Sequence, residues 1–252
     1  MRIELSGRVV LVTGSSRGIG AAIAESLAAA GAQVALHYAS SREKAEGMAR
    51  RLGGGARAFG ADLADPTNAA ALIDAVATHY GRIDALVNNA GIAVSAPMDM
   101  GLPDWVASMR RTLDVNLVAS AALTKEVLPH LRAQSGGRIV YIASRAAFRG
   151  DKPEYFAYAA SKGGMVALAK SVARAYGPDR IASFVVAPGF VRTEMAQNFI
   201  EAYGEGIAVD DLALPELTEP SDLAPLVVLL VSGLADHATG TTIDVNAGSY
   251  VH

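Results

Sequence analysis

The 252-residue chain has no cysteine, a single tryptophan, no apolar run of membrane length and no excess charge of either sign. Without cysteine there is no disulfide framework, no thiolate nucleophile and no sulfur-ligated metal. The longest apolar stretch, Leu223 to Leu230, carries Pro225 inside it and falls far short of a bilayer span. With 22 Lys and Arg against 25 Asp and Glu the formal charge is −3, so no basic field invites nucleic acid or an anionic membrane. The opening Met1-Arg2-Ile3-Glu4-Leu5-Ser6-Gly7-Arg8 is charged and lacks the apolar segment of a secretion signal. The histidines His37, His79, His130, His237 and His252 show no i+3 or i+4 pairing, so no metal site is expected. No Gly-x-Ser-x-Gly elbow exists, which argues against a serine hydrolase. What remains is the expectation of a cytoplasmic protein whose 51% apolar and 19% charged residues suit a well-buried α/β core.

The apolar residues come in alternating short and periodic blocks. Val9-Val10-Leu11-Val12 is a continuous apolar run ending at Gly14, as in a strand buried on both faces. A helix is predicted from Ile19 to Ala30, with Gly31 closing it. The pattern then repeats: strands near 34–36, 57–59, 85–87, 138–143, 182–186 and 242–245 alternate with helices near 42–52, 66–80, 104–132, 155–176 and 222–230. Strict alternation predicts a Rossmann-type doubly wound parallel sheet of about seven strands with helices on both faces, joined by right-handed crossovers. No linker or repeat divides it, so one domain over 1–252 is expected. The segment 190–219 lacks clear strand or helix punctuation, and long stretches of that kind tend to be functional.

Two constellations carry chemistry. Gly14, Gly18 and Gly20 lie between the first strand and first helix, where a ligand phosphate reaches backbone N–H groups and the helix dipole. Their spacing is G-x-x-x-G-x-G rather than G-x-G-x-x-G. Tyr158 and Lys162 stand at i and i+4 on a predicted helix, hence on one face. A free phenol with a pKa near ~10 is a poor base, and a neighbouring ammonium stabilises its phenolate. Ser144, just after a strand, is placed to hydrogen-bond a substrate oxygen near that phenol.

Thr13 to Gly20, Asn88-Asn89-Ala90-Gly91, Asn116, Ser144, Tyr158 with Lys162, and Pro188-Gly189 together resemble the short-chain dehydrogenase/reductase family. The resemblance runs from about Gly7 onward, with the motifs in family order. It implies an oxidoreductase interconverting a carbonyl and a secondary alcohol, with Tyr158 as general acid/base and Asn116, Ser144 and Lys162 completing the catalytic set. By the same resemblance Lys162 also holds the nicotinamide ribose and Asn116 holds a water that relays protons. Gly14, Ser16, Arg17, Gly18, Ile19 and Gly20 would cradle the cofactor phosphates. Asp62 and Leu63 would meet the adenine, Asn88 and Gly91 would stabilise the central strand and border the nicotinamide ribose, and Asn89, Ala90 and Gly91 would contact the cofactor. Pro188, Gly189, Val191 and Thr193 would face the nicotinamide carboxamide.

An acidic residue at the end of the second strand would bind the adenosine ribose and repel a 2′-phosphate. That position is Tyr38, followed by Ala39, Ser40, Ser41 and Arg42, with no carboxylate. Arg17, Ser40 and Arg42 are therefore expected to favour NADP(H), with NAD(H) as the alternative. The expected substrate is a small ketone or hydroxy compound. The alternatives are a 3-oxoacyl-(acyl-carrier-protein) reductase, for which Arg132, Arg138 and Arg174 would meet an acidic carrier, and a non-catalytic NADP-binding regulator. The family commonly pairs its two longest helices between subunits, so the resemblance implies a homotetramer built on 104–132 and 155–176. A lid over the substrate is expected at about 190–219.

Overall fold

The central strands owe their place to short apolar runs that must be covered on both sides. In the computed structural model, β1 (Val9–Val12), β2 (Gln33–Tyr38), β3 (Arg57–Gly60), β4 (Ala85–Asn88), β5 (Gly137–Ile142), β6 (Ile181–Pro188) and β7 (Thr242–Val245) form one sheet. The structure describes residues 3–204 and 206–251, without the side chains of 198, 202, 207 and 208; Met1, Arg2 and His252, used in the sequence argument, lie outside it. The spatial order is β3-β2-β1-β4-β5-β6-β7. Every pairing is parallel, as in Val10 opposite both Val34 and Ala85, and Val140 opposite Phe184.

The period-2 alternation of a strand splits β1 between two cores. Val10 and Val12 join Ile23, Leu27, Phe184, Leu223 and Val227 on one face, under helices α1 (Gly18–Ala29) and α10 (Pro220–Ser232). Val9 and Leu11 join Leu72, Ile73, Leu123, Val127, Met165 and Ala169 on the other. That face is covered by α3 (Asn68–Tyr80), α5 (Ala119–Ala133) and α7 (Phe156–Tyr176). Because the chain runs outward from β1 in both directions, the crevice at the carboxyl ends of β1 and β4 is the topological switch point where such sheets bind ligands. Among the described residues no helix is long and apolar enough to cross a membrane.

Two expectations need correction. The single helix expected over 104–132 is α4 (Leu102–Leu113) and α5 separated by a π-helical turn, Asp114–Val118. Such a turn widens the helix by one residue and re-aims its side chains, here Asn116. The segment 190–219, read as lacking punctuation, contains α8 (Glu194–Tyr203) and α9 (Gly206–Val209). Its helix start was legible. Thr193 caps α8 by accepting from the Ala196 N–H at 3.3 Å, and Glu194 sits in the first turn where the dipole favours it. The base of this segment is closed by a parallel bridge between Val191 and Thr218, with the Arg192 N–H donating to the Thr218 carbonyl at 2.9 Å.

Some small residues of the two long helices are used within the chain. Ala119 is buried, and a Cβ on Gly164 would come within 2.6 Å of Leu117 in the π turn. Ala160 and Ala167 remain exposed on α7.

Candidate active site at the carboxyl edge of the sheet

The loop after β1 is held by its own neighbours. The Thr13 hydroxyl accepts from the N–H groups of Asn89 and Ala90, both at 2.9 Å. The Asn89 amide donates back to the carbonyls of Thr13 (2.8 Å) and Gly14 (3.1 Å). Asn89, rather than Asn88, thus ties β4 to the loop; both amide atoms of Asn88 are buried and bond to nothing among the described residues. Gly14 has φ +61°, and a Cβ there would lie 2.9 Å from the Ala90 Cα, so backbone approach demands glycine. A Cβ on Gly20 would meet the Gly14 carbonyl oxygen and the Asn89 amide at 2.5 Å.

His37, which the sequence argument considered only as a metal ligand, belongs to this loop. Its Nδ1 accepts from the Gly14 N–H at 3.0 Å, which leaves Nε2 to donate to the Ala61 carbonyl at 2.9 Å. That tautomer is neutral, and burial holds the ring below the usual histidine range, against the opposing effects of the Ala61 bond and Asp62.

Helix α1 then begins at Gly18 with no side-chain cap from Arg17. Its first N–H groups and its dipole are open to an anion, so the loop fits a dinucleotide pyrophosphate. Ser16 and Gly18 are part of this turn, while Ile19 packs against the core.

At the adenine side, Tyr38 ends β2 with its ring across Gly60, where a Cβ would come within 2.9 Å. Leu63 is buried, and the Asp62 carboxylate accepts from the Ala64 N–H at 3.0 Å. The Arg42 side chain opens helix α2 (Arg42–Leu52) and donates to Glu46 at 2.7 Å; Ser40 is exposed beside it. Arg17 is ion-paired with Glu194 at the start of α8, and Lys44 reaches the other Glu194 oxygen at 3.8 Å. Lys44 and Glu194 were not among the residues expected here. The signal was the position of Lys44 in the first turn of α2, beside Arg42, and a carboxylate directly after Thr193.

The proton-transfer set is assembled from four elements. Ser144 follows β5 and accepts from the Ala146 N–H at 3.1 Å, starting the short helix α6 (Ala146–Arg149). Its hydroxyl also bonds the Tyr158 phenol on α7. One turn on, the buried Lys162 ammonium donates to the Ile142 carbonyl at 2.8 Å and stands 5.7 Å from the Tyr158 ring centroid. Burial pulls Lys162 down to about 8. Burial pushes the phenol up to about 12, with the Ser144 bond opposing and Asp151 adding to it. Lys162 is not among the groups that move the phenol, so the lowering expected from it is not seen in the protein alone, where desolvation dominates.

Asn116 couples two of these elements. From the π turn its Oδ1 accepts from the Ile92 N–H at 2.8 Å, and its Nδ2 donates to the Ile92 carbonyl and to Ser161, both at 2.9 Å. Ser161 donates in turn to the Tyr158 carbonyl at 2.7 Å. Both amide protons of Asn116 are committed, so a relay water does not hang from its side-chain nitrogen. A Cβ on Gly91 would lie 3.3 Å from Asn116 Oδ1 and 3.4 Å from Lys162 Nζ, which places Gly91 directly over both.

Pro188 ends β6, and its carbonyl accepts from the Arg145 N–H at 2.9 Å. Gly189 packs on Asn246, which a Cβ would approach to 2.8 Å, and Val191 is buried. Thr193 abuts the phosphate loop, 3.3 Å from where a Gly18 Cβ would stand. This segment therefore runs from beside Ser144 to the phosphate loop, spanning the crevice.

A doubly wound parallel sheet with an open helix N-terminus at its switch point, facing a Ser–Tyr–Lys cluster, has the anatomy of a dinucleotide-dependent oxidoreductase. Residues 8–204 match the short chain dehydrogenase family, and the chain belongs to it. It is similar to the 3-oxoacyl-(acyl-carrier-protein) reductase FabG of Haemophilus influenzae, at 35% identity over 98% of this chain and all of that protein. It is also similar to nodulation protein G of Rhizobium meliloti, at 37% identity over 97% of this chain and 98% of that one. A short chain dehydrogenase from Burkholderia cenocepacia, solved in complex with NADP, superposes with a TM-score of 0.88 at 35% identity, covering 98% of this chain and 99% of that chain. Membership makes this chain an oxidoreductase acting between CH–OH and C=O groups.

Proposed function

We propose that the chain reduces the carbonyl of a small ketone, using NADPH. The observation that carries this reading is the placement of the Tyr158 phenol, with Ser144 beside it and the Lys162 ammonium 5.7 Å from its ring centroid, as a proton donor for one carbonyl oxygen. When bound, the cofactor supplies a hydride to the carbonyl carbon. The chain's part is the other half of the balance. Ser144 positions the carbonyl oxygen, Tyr158 gives that oxygen its proton, and the Lys162 ammonium close beneath stabilises the phenolate left behind until solvent reprotonates it. Asn116, through Ile92 and Ser161, holds the Gly91 segment and the Tyr158 turn in one register and acts as a positioning residue.

Arg17 and Lys44, gathered at the start of α1 and the start of α2, are the cations that suit a 2′-phosphate, with Arg42 and Ser40 at the rim. The NADP complex of the Burkholderia relative supports the same choice. The carrier-protein reading draws support from the FabG similarity. Against it, Arg132 is paired with Asp179 and Arg138 with Asp236, which neutralises two of the three basic residues a carrier would need. We read the chain as a single domain, with the segment 190–219, including α8 and α9, as the lid over the substrate and the exposed faces of α4, α5 and α7 as the interface of a homotetramer.

Loss of nicotinamide absorbance with NADPH and a panel of diketones, ketones and a 3-oxoacyl thioester tests the reading. Turnover of the ketones ahead of the thioester supports it. Turnover of the thioester alone replaces it with the carrier-protein reading, and binding of NADPH without turnover of any carbonyl sinks it.

A further inference from the structure

Four acidic or basic side chains are buried among the described residues: His37, Asp84, Arg145 and Lys162. Three of them have hydrogen-bond partners. His37 bridges Gly14 and Ala61, Asp84 accepts from the Val9 N–H and from Arg82, and Lys162 donates to Ile142. Arg145 differs. It is 5% exposed, and its Nη1 is buried with no hydrogen-bond partner. A guanidinium out of water with an unspent N–H is an expensive arrangement, and each such group in a native fold calls for a reason.

The position of Arg145 supplies one. It directly follows Ser144, and its backbone N–H is fixed to the Pro188 carbonyl. Its guanidinium carbon lies 5.0 Å from the ring centroid of Phe190, the residue that leads into the lid segment. Asp151 acts on both this guanidinium and the Tyr158 phenol, which sets the charge near the proton-transfer set, with the Phe190 ring on one side of it. Asp211 and Asp151 act on it from a distance, but among the described residues no carboxylate forms an ion pair with it. Arg149 is paired with Asp211 at 3.1 Å, Asp151 accepts from the Lys152 N–H at 2.9 Å, and Lys152 lies over the Tyr203 ring. Burial and the like charge of Arg149 pull the guanidinium below its ordinary range, while Asp211 and Asp151 act the other way. The site is thus short of an anion in direct contact.

We propose that Arg145 receives the carboxylate of the substrate, which makes that substrate a short oxo acid whose carbonyl lies at Ser144 and Tyr158. The planar fork of a guanidinium matches a carboxylate, and the low-dielectric surroundings strengthen the bond. This rests on the carbonyl-reductase reading and names its substrate class. It also separates this site from one that takes an acyl thioester, which brings no carboxylate to that position.

The test uses 3-oxobutanoate and its methyl ester, which differ at the carboxylate, with NADPH and with wild type, Arg145→Gln and Arg145→Lys. Wild type is expected to favour the acid by at least about tenfold in kcat/KM, the scale of one charge-assisted contact. Arg145→Gln is expected to raise KM for the acid by roughly 10–100-fold while leaving the ester and NADPH affinity within about twofold, and Arg145→Lys to recover part of the loss. Equal use of acid and ester by wild type overturns the proposal. So does an equal loss on both substrates in Arg145→Gln, which marks a merely structural role. If neither substrate turns over, melting of the NADP-loaded protein decides: a rise in Tm with 3-oxobutanoate in wild type and none in Arg145→Gln supports the anchor, and no rise in either removes it. Turnover of a neutral diketone without preference for the acid sinks the anchor alone; binding of NADPH with no turnover of any carbonyl sinks the reductase reading beneath it.

Discussion

The phosphate-loop end and the substrate end of the crevice are built on opposite terms. At the phosphate loop nearly every side-chain polar atom that shapes the backbone is spent within the chain: Thr13 on Asn89 and Ala90, Asn89 on Thr13 and Gly14, His37 on Gly14 and Ala61. What that end leaves free is backbone, at the uncapped start of α1. At the proposed substrate end the groups that would meet a ligand are side chains, a buried Arg145 with an idle N–H and a phenol held by Ser144 whose pKa burial has raised. A dinucleotide presents the same phosphates to every member of a family, so a rigid backbone mould serves it. A substrate differs from member to member, so its recognition falls to side chains that can be exchanged without disturbing the mould.

The sharpest way to break that contrast is at Tyr158. Tyr158→Phe removes one hydroxyl and is expected to lower kcat for ketone reduction by about 10²–10⁴-fold, with NADPH affinity unchanged by fluorescence titration. A variant retaining more than about a tenth of wild-type kcat would move the proton donor elsewhere.

Lys162 should show the cost of the substrate end directly. Its charge is buried, with a pKa pulled down to about 8, so the fold holds the ammonium at a loss. Lys162→Met is expected to reduce kcat/KM at least about 100-fold, yet to stabilise the cofactor-free protein by about 1–2 kcal/mol near pH 7 in urea unfolding. The gain should shrink as pH rises from about 8 toward the free lysine value, because the native lysine is then already neutral. A variant that loses both activity and stability would show that the Ile142 hydrogen bond outweighs the buried charge.

A smaller effect is expected at the phosphate end, where Glu194 sits on the cations a 2′-phosphate would use. Both Arg17 and Glu194 are more than half exposed, so their pair adds little to stability. Arg17→Ala should weaken NADPH by roughly tenfold and leave NADH nearly unchanged, whereas Glu194→Gln should tighten NADPH by about two- to fivefold. Arg42→Ala, whose side chain is held by Glu46, should do less than Arg17→Ala. Equal effects of Arg17→Ala on both nucleotides would detach Arg17 from the 2′-phosphate.

The smallest effect concerns His37. Its folded-state pKa lies below the free value near 6.5, so the unfolded chain binds the proton more readily. The stability it contributes is complete above about 6.5 and is lost as pH falls below that value toward the folded pKa, where the ring must be protonated against the Gly14 N–H. Acid unfolding of His37→Gln should lack this component, with a difference of about 1 kcal/mol or less between pH 7 and 5.5. Parallel pH curves for the two proteins would remove His37 as its source.

Much of this protein was settled by local sequence. Val9-Val10-Leu11-Val12 has to be covered on both faces wherever it lies, and its repetition along the chain dictates a parallel sheet with crossover helices. The glycines at 14, 18 and 20, and the helical spacing of Tyr158 and Lys162, carry their geometry within a few residues. What folding alone decided involves pairs distant in the chain. The π turn at Asn116 follows from its bonds to Ile92 and Ser161 on two other elements, and no periodicity along its own helix announces it. Glu194 meets Arg17 across 177 residues, and His37 joins the phosphate loop across 23. Arg145 reads in sequence as an ordinary charge after Ser144. Only the fold, which sets Phe190 beside its guanidinium and Pro188 against its backbone, takes it out of water, and burial is a property of the assembled core rather than of any segment.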